Sequence, residues 1–170
     1  SYSGTKCTAS KKADLMTALV NAEAYAGGAV TYLSGTPSAT TRYKTWFGTF
    51  STANWNTIKT HYTNIRSVYN TQPIVFDCGC TKKTTYAYVY PSQPYKIYLC
   101  GAFWSAPATG TDSKAGTLVH ETSHFTVVAG TQDYAYGQTA AKSLALSNPS
   151  QAIMNADSHE YFAENTPAQP

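Results

Sequence analysis

Charge is scarce in this chain of 170 residues: charged side chains make up 12%, against the roughly 25% of an average soluble protein. Disordered chains are rich in charge and poor in aromatics, so 14% aromatics with 14 tyrosines excludes that class. No apolar run approaches the roughly 20 residues of a membrane-spanning helix, and no membrane partner is expected. The net charge is only +3, and basic residues gather no further than the doublets Lys11-Lys12 and Lys82-Lys83. Nucleic-acid binding needs a denser basic patch, so that partner is excluded too. There is no Asn-x-Ser/Thr acceptor for N-linked sugar, and the opening Ser1-Tyr2-Ser3-Gly4 shows neither an initiator Met nor a signal peptide, as in a processed mature chain.

What is present fits one domain over residues 1–170, acting as a monomer. A chain of this length buries roughly 70% of its unfolded surface, and 42% hydrophobic residues suffice for one core. The 4 cysteines are even in number and suit an oxidising, extracellular setting, so the protein is read as secreted with two structural disulfides. Cys78 and Cys80 are too close to bond each other easily, so each is expected to pair with either Cys7 or Cys100.

Apolar spacing predicts helices over 10–33 and 41–69, separated by the loop Ser34-Gly35-Thr36-Pro37-Ser38. Three short β-branched and aromatic runs, Ile74–Phe76, Tyr86–Tyr90 and Lys96–Leu99, predict a small sheet, the last two runs forming a hairpin around Pro91-Ser92-Gln93-Pro94. Helical patterns return at 113–127 and 138–147 around a turn from Gly130 to Gly137, and Asn148-Pro149 and Asp157 read as further helix starts. The fold class is α+β.

The strongest chemical signal is His120-Glu121-Thr122-Ser123-His124. Residues four apart share a helix face, so two imidazoles can grip one zinc ion with Glu121 beside it. Catalytic zinc needs a third protein ligand and an open position, and Asp133, Asp157, His159, Glu160 and Glu164 are the downstream candidates. The metzincin pattern is excluded, because it requires Gly and His where this chain has Val127 and Gly130. Such a site draws its nucleophile from water, with Glu121 taking the proton and returning it to the leaving amine.

The segment Gly130-Thr131-Gln132-Asp133-Tyr134-Ala135-Tyr136-Gly137 resembles the G-T-x-D-x-x-Y-G element of the deuterolysin-like family, the aspzincins. Residues 43–48, 76–80, 98–104 and 154–162 resemble the fungal peptidyl-Lys metalloendopeptidases of that family, so the likeness covers nearly the whole chain. It implies a zincin-like fold and one zinc per chain on His120, His124 and Asp133. It also implies cleavage of polypeptides on the amino side of lysine, with lysine entering the pocket after the scissile bond. Disulfides Cys7 to Cys78 and Cys80 to Cys100 are implied as well. Within that likeness, Tyr136 becomes the oxyanion donor, with Tyr134 its competitor, and Asp157 and Glu160 become the carboxylates that receive the lysine ammonium.

Several plainer readings compete. Asp157 followed by Glu160 could form a helix capping box with no ligand. His61 and His159 are expected to be surface or packed histidines, and Tyr86–Tyr90 either an edge strand that binds substrate or a strand packed on the N-terminal helices. For the whole chain, the alternatives are a deuterolysin-like protease of broader preference and a silent secreted module binding carbohydrate through its aromatics.

Overall fold

The computed structural model describes residues Ser1–Pro170. The apolar spacing at 10–33 folds as one long helix, α1 (Ala9–Leu33), started by Thr8, whose hydroxyl accepts the Lys11 N–H at 3.3 Å. Its buried residues, Leu15, Ala18, Ala22, Ala26, Ala29 and Leu33, recur in steps of three and four along one stripe. Four of them are alanine, whose small side chain lets neighbouring helices approach closely.

The expected helix over 41–69 is instead two, α2 (Thr41–Phe47) and α3 (Thr52–Thr71). Gly48 makes the break at φ +83°, and a Cβ there would fall 2.1 Å from the Ala145 carbonyl oxygen. Only glycine meets both demands. The periodicity continued across the gap because both helices turn apolar residues toward the same core.

Four short strands form one sheet in the order β1-β2-β4-β3: β1 (Tyr2–Ser3), β2 (Val75–Asp77), β3 (Ala87–Tyr88) and β4 (Lys96–Leu99). β1, β2 and β4 run parallel, and β3 pairs antiparallel with β4 in the expected hairpin. β3 is therefore an edge strand, shorter than the run Tyr86–Tyr90, and it lies beside the metal-motif helix rather than on the N-terminal ones. Two disulfides, Cys7–Cys78 and Cys80–Cys100, tie the sheet to the segment before α1 and to itself.

The second half comprises α4 (Gly101–Ser105), α5 (Lys114–His124), α6 (Gln138–Ser147), α7 (Pro149–Ala152) and α8 (Ala156–Glu164). α5 ends three residues before the 127 expected, because the chain turns at Phe125. α8 begins one residue ahead of Asp157, with Asn155 as its N-cap residue, so Asp157 sits inside the first turn and the capping box does not form.

α1 packs on α3 and α5, and α5 on α8. One contiguous core of 30 buried residues fills the space between them. α8 is pinned by groups that reach its carbonyls: the buried Arg42 guanidinium donates to Phe162 O and the Tyr62 hydroxyl to His159 O at 2.7 Å. His61 and His159 are packed rather than exposed. His159 Nδ1 lies 2.8 Å from the Asn155 carbonyl and so donates to it, leaving Nε2 to accept from His61 Nδ1 at 2.9 Å. Burial depresses both pKa values, to about 4 for His61 and about 3 for His159, so both rings stay neutral at neutral pH.

Candidate metal centre and cleft

α5 is buried from Ala115 to His124 although it carries two histidines and a glutamate. Buried polar side chains are costly unless paired, and here they converge on one point. His120 and His124 bring their Nε2 atoms within 3.2 Å of each other, and Asp133 Oδ1 lies 3.1 Å from each.

The turn after α5 delivers Asp133 to that point. Gly130, at φ +61°, reverses the chain, and the Thr131 N–H donates to Ser123 O at 3.1 Å. On the other side, Gln132 N–H donates to Met154 O at 2.8 Å and Ala156 N–H to Gln132 O at 3.0 Å. Asp133 is thus clamped between the end of α5 and the start of α8. The fully buried Asn155 extends the clamp, its Oδ1 accepting the N–H groups of Tyr134 and Ala135 at 2.9 and 3.1 Å.

Each imidazole is oriented through its other nitrogen. His124 Nδ1 lies 2.8 Å from the Thr131 carbonyl, which can only accept, so Nδ1 carries the proton and Nε2 presents a lone pair. His120 Nδ1 meets Asp157 Oδ1 at 2.6 Å, and Asp157 Oδ2 accepts the Gly137 N–H at 2.7 Å. Outer hydrogen bonds of this kind fix the tautomer of a metal-binding histidine and raise its basicity.

These donors fit zinc. A tetrahedral ion with bonds near 2.05 Å sets adjacent ligand atoms about 3.3 Å apart, close to the observed 3.1, 3.1 and 3.2 Å. Two imidazoles and one carboxylate leave the fourth position that catalytic zinc requires. A second grouping, His120 with Asp157 and Glu160, would use His120 Nδ1, which already faces Asp157. It orients His120 rather than offering a rival ligand set. Glu164 is committed elsewhere, accepting from Ser113 N–H, Ser113 Oγ and Asp112 N–H at 3.0, 2.9 and 3.1 Å.

The electrostatics follow from burial among carboxylates. Burial would depress the His120 imidazole, but Glu121, Asp133 and Asp157 outweigh it and raise its pKa. Burial would likewise raise Asp133, yet the two imidazoles beside it hold it far below the usual carboxylate range. Glu121, Oε2 of which lies 3.8 Å from His120 Nε2, is pushed up by burial against the pull of both imidazoles.

Outside this centre opens a cleft of about 650 Å³. Five of the chain's nine acidic residues, Asp112, Glu121, Asp133, Asp157 and Glu160, line it, with no Lys or Arg among the lining residues. One wall is the segment from Thr84 to Val89, including edge strand β3. Tyr136 lines the cleft, its ring at 17° to that of His120 with centroids 6.3 Å apart, whereas Tyr134 does not. Tyr136 is 66% exposed overall, but partial desolvation at the cleft and then the Asp133 carboxylate raise its pKa, so its hydroxyl keeps the proton it would donate.

The structure thus brings His120, Glu121, His124, Asp133, Tyr136, Asp157 and Glu160 to one cleft. Asp157 and Glu160 differ in availability. Asp157 has both oxygens engaged, while the buried Glu160 Oε2 has no hydrogen-bond partner. Burial, reinforced by Glu164 and Asp157, raises the Glu160 pKa well above the ordinary value. Sequence reasoning did not identify Thr131 and Asn155, because their work is done through backbone contacts whose partners are set by the fold.

Residues 32–164 match the aspzincin family model described as lysine-specific metallo-endopeptidase. The chain is 55% identical over 169 residues to a peptidyl-Lys metalloendopeptidase of Armillaria mellea, covering 99% of this chain but 47% of that protein. It is also 55% identical over 163 residues to a peptidyl-Lys metalloendopeptidase of Pleurotus ostreatus, covering 95% of this chain and 96% of the relative. It therefore spans about half the length of the first relative and nearly all of the second. The solved structure of a zinc peptidase from Grifola frondosa matches with a TM-score of 0.93 at 52% identity, over 96% of this chain and all of that one. With three-quarters of its length on the family model and the metal-motif helix, Asp133 turn and acidic cleft in place, the chain belongs to the aspzincin metallopeptidases.

Proposed function

We propose that this chain is a secreted zinc endopeptidase that hydrolyses Xaa-Lys bonds, with one zinc held by His120, His124 and Asp133. The observation that carries the lysine reading is the cleft itself: five acidic residues and no cation line it, and one of them, Glu160, keeps a buried oxygen that no donor reaches. A buried carboxylate oxygen without a donor is costly, and a lysine ammonium supplies both the donor and the charge. The names of the Armillaria and Pleurotus relatives support the same substrate.

Bound zinc supplies a Lewis acid and brings water toward ionisation near neutral pH. The rest falls to the protein. Glu121, raised by burial, takes a proton from the attacking water as its oxygen bonds to the peptide carbonyl carbon. As the C–N bond breaks, the same carboxyl returns that proton to the leaving nitrogen, which becomes the amino group of lysine. Tyr136 donates its hydroxyl to the carbonyl oxygen while negative charge develops there. Asp157 holds His120 and the Gly137 turn in place through its two bonds. The free edge of β3 offers backbone groups to an extended substrate, a mode that accepts many sequences while a pocket reads one side chain.

Every residue of this site comes from one domain, and the proposal calls for no second subunit. The two disulfides support an extracellular setting. No helix is long and apolar enough to cross a membrane.

The test is a digest of a denatured protein with and without chelator, with the new ends read by mass spectrometry. Products beginning with Lys, and none when chelator is present, are expected. Mixed product ends would favour the broader deuterolysin-like reading, and undiminished cleavage in chelator would contradict the metal.

A further inference from the structure

Two non-glycine residues adopt left-handed backbone, Asp112 at φ +54° and Asn165 at φ +47°. Asn165 ends α8, where asparagine commonly takes that conformation. Asp112 ends no helix. It precedes Ser113, the N-cap of α5, and lines the cleft. Strained backbone tends to persist where surrounding structure over-determines it, often at ligand sites.

Asp112 is held at both ends. Its N–H donates to Glu164 Oε1 at 3.1 Å, and its Oδ1 accepts the Tyr161 hydroxyl at 2.5 Å. Gly116 makes room for this brace, since a Cβ there would lie 1.9 Å from Glu164 Oε2. The Asp112 carboxylate is thereby fixed at the cleft wall, more exposed than the buried Glu160.

An ammonium group carries three donors and needs more than one acceptor when stripped of water. Asp112, Asp157 and Glu160 line the cleft together with Tyr86, and Glu164 lies behind Asp112. Asp157 is committed to His120 and Gly137, and Glu164 to Ser113 and Asp112. Asp112 keeps its second carboxylate oxygen without a protein partner, and Glu160 Oε2 is reached by no donor although its carboxyl lies against Glu164.

We propose that Asp112 is a specificity-determining residue: its carboxylate takes the substrate lysine ammonium from the solvent side while Glu160 takes it from the buried side. This rests on the lysine reading above and extends it to a residue in a different element, the loop before α5. Glu164 acts as the positioning residue that holds Asp112 in place.

Asp112→Asn isolates the charge, because asparagine tolerates left-handed backbone as well as aspartate and can keep the Tyr161 bond. Paired peptides with lysine or norleucine after the scissile bond differ only by the ammonium. The kcat/KM for the lysine peptide is expected to fall about ten- to a hundredfold, the range for a charged hydrogen bond. The norleucine value should fall far less, so that the lysine-to-norleucine ratio drops, and zinc should still bind. Asp112→Gly, whose backbone accepts φ +54° without strain, should show the same loss and covers a folding failure of the first variant. An unchanged lysine-to-norleucine ratio in these variants overturns the assignment. No preference for lysine in the unmodified protein overturns the underlying reading and this assignment with it.

Discussion

Replacing Glu121 by glutamine is expected to lower kcat by about 10² to 10⁴, the range for loss of a general base, while zinc content remains at one per chain. Glutamine matches glutamate in shape but cannot accept the proton of the attacking water at neutral pH. The fold should tolerate the change, because Glu121 is buried and its carboxylate approaches His120 no nearer than 3.8 Å. Removing a buried negative charge there also removes its desolvation cost. Steady-state kinetics and metal analysis on the same sample separate the outcomes. Near-normal turnover would refute the base role, and lost zinc would move Glu121 into the metal's support.

Asp133→Ala is expected to lose the metal itself. The three donor atoms lie within 3.2 Å of one another, and the aspartate is the only anion among them. Changes to groups that merely orient a metal ligand cost about ten- to a hundredfold in affinity, and removing a ligand should cost more. The variant should purify with substoichiometric zinc and regain activity only in excess zinc. Full metal content would transfer the third-ligand role elsewhere. Neither alternative carboxylate is well placed: Glu160 approaches the wrong nitrogen of His120, at 3.6 Å from Nδ1, and Glu164 is bonded to the loop before α5.

What the sequence shows most clearly is what local physics controls. The helix at 10–33 is readable because a continuous apolar stripe needs no distant partner to define it, and α6 and β4 appear with the bounds expected. The pair His120 and His124 is readable because helical geometry alone puts both on one face. Boundaries set by tertiary contact are not readable: the break at Gly48 depends on the Ala145 carbonyl, and the end of α5 on the turn that carries Asp133.

The same division runs through the site. Asp157 and Glu160 stand out together in sequence as an i, i+3 pair of carboxylates, yet their surroundings separate them. Asp157 reaches back 37 residues to His120, a pairing that local spacing does not reveal. Asp112 lies in the loop before α5, where no local pattern marks it, and its carboxylate gains meaning from the distant Tyr161 and Glu164 that hold it. Tyr134 and Tyr136 share one motif, and only the packed turn shows which of them lines the cleft.

The most direct measurement is X-ray anomalous scattering at the zinc edge on crystals of the active protein. The account predicts one peak, about 2.0–2.2 Å from His120 Nε2, His124 Nε2 and an Asp133 carboxylate oxygen. A peak that excludes Asp133, or an active crystal with no peak between the two histidines, would contradict it.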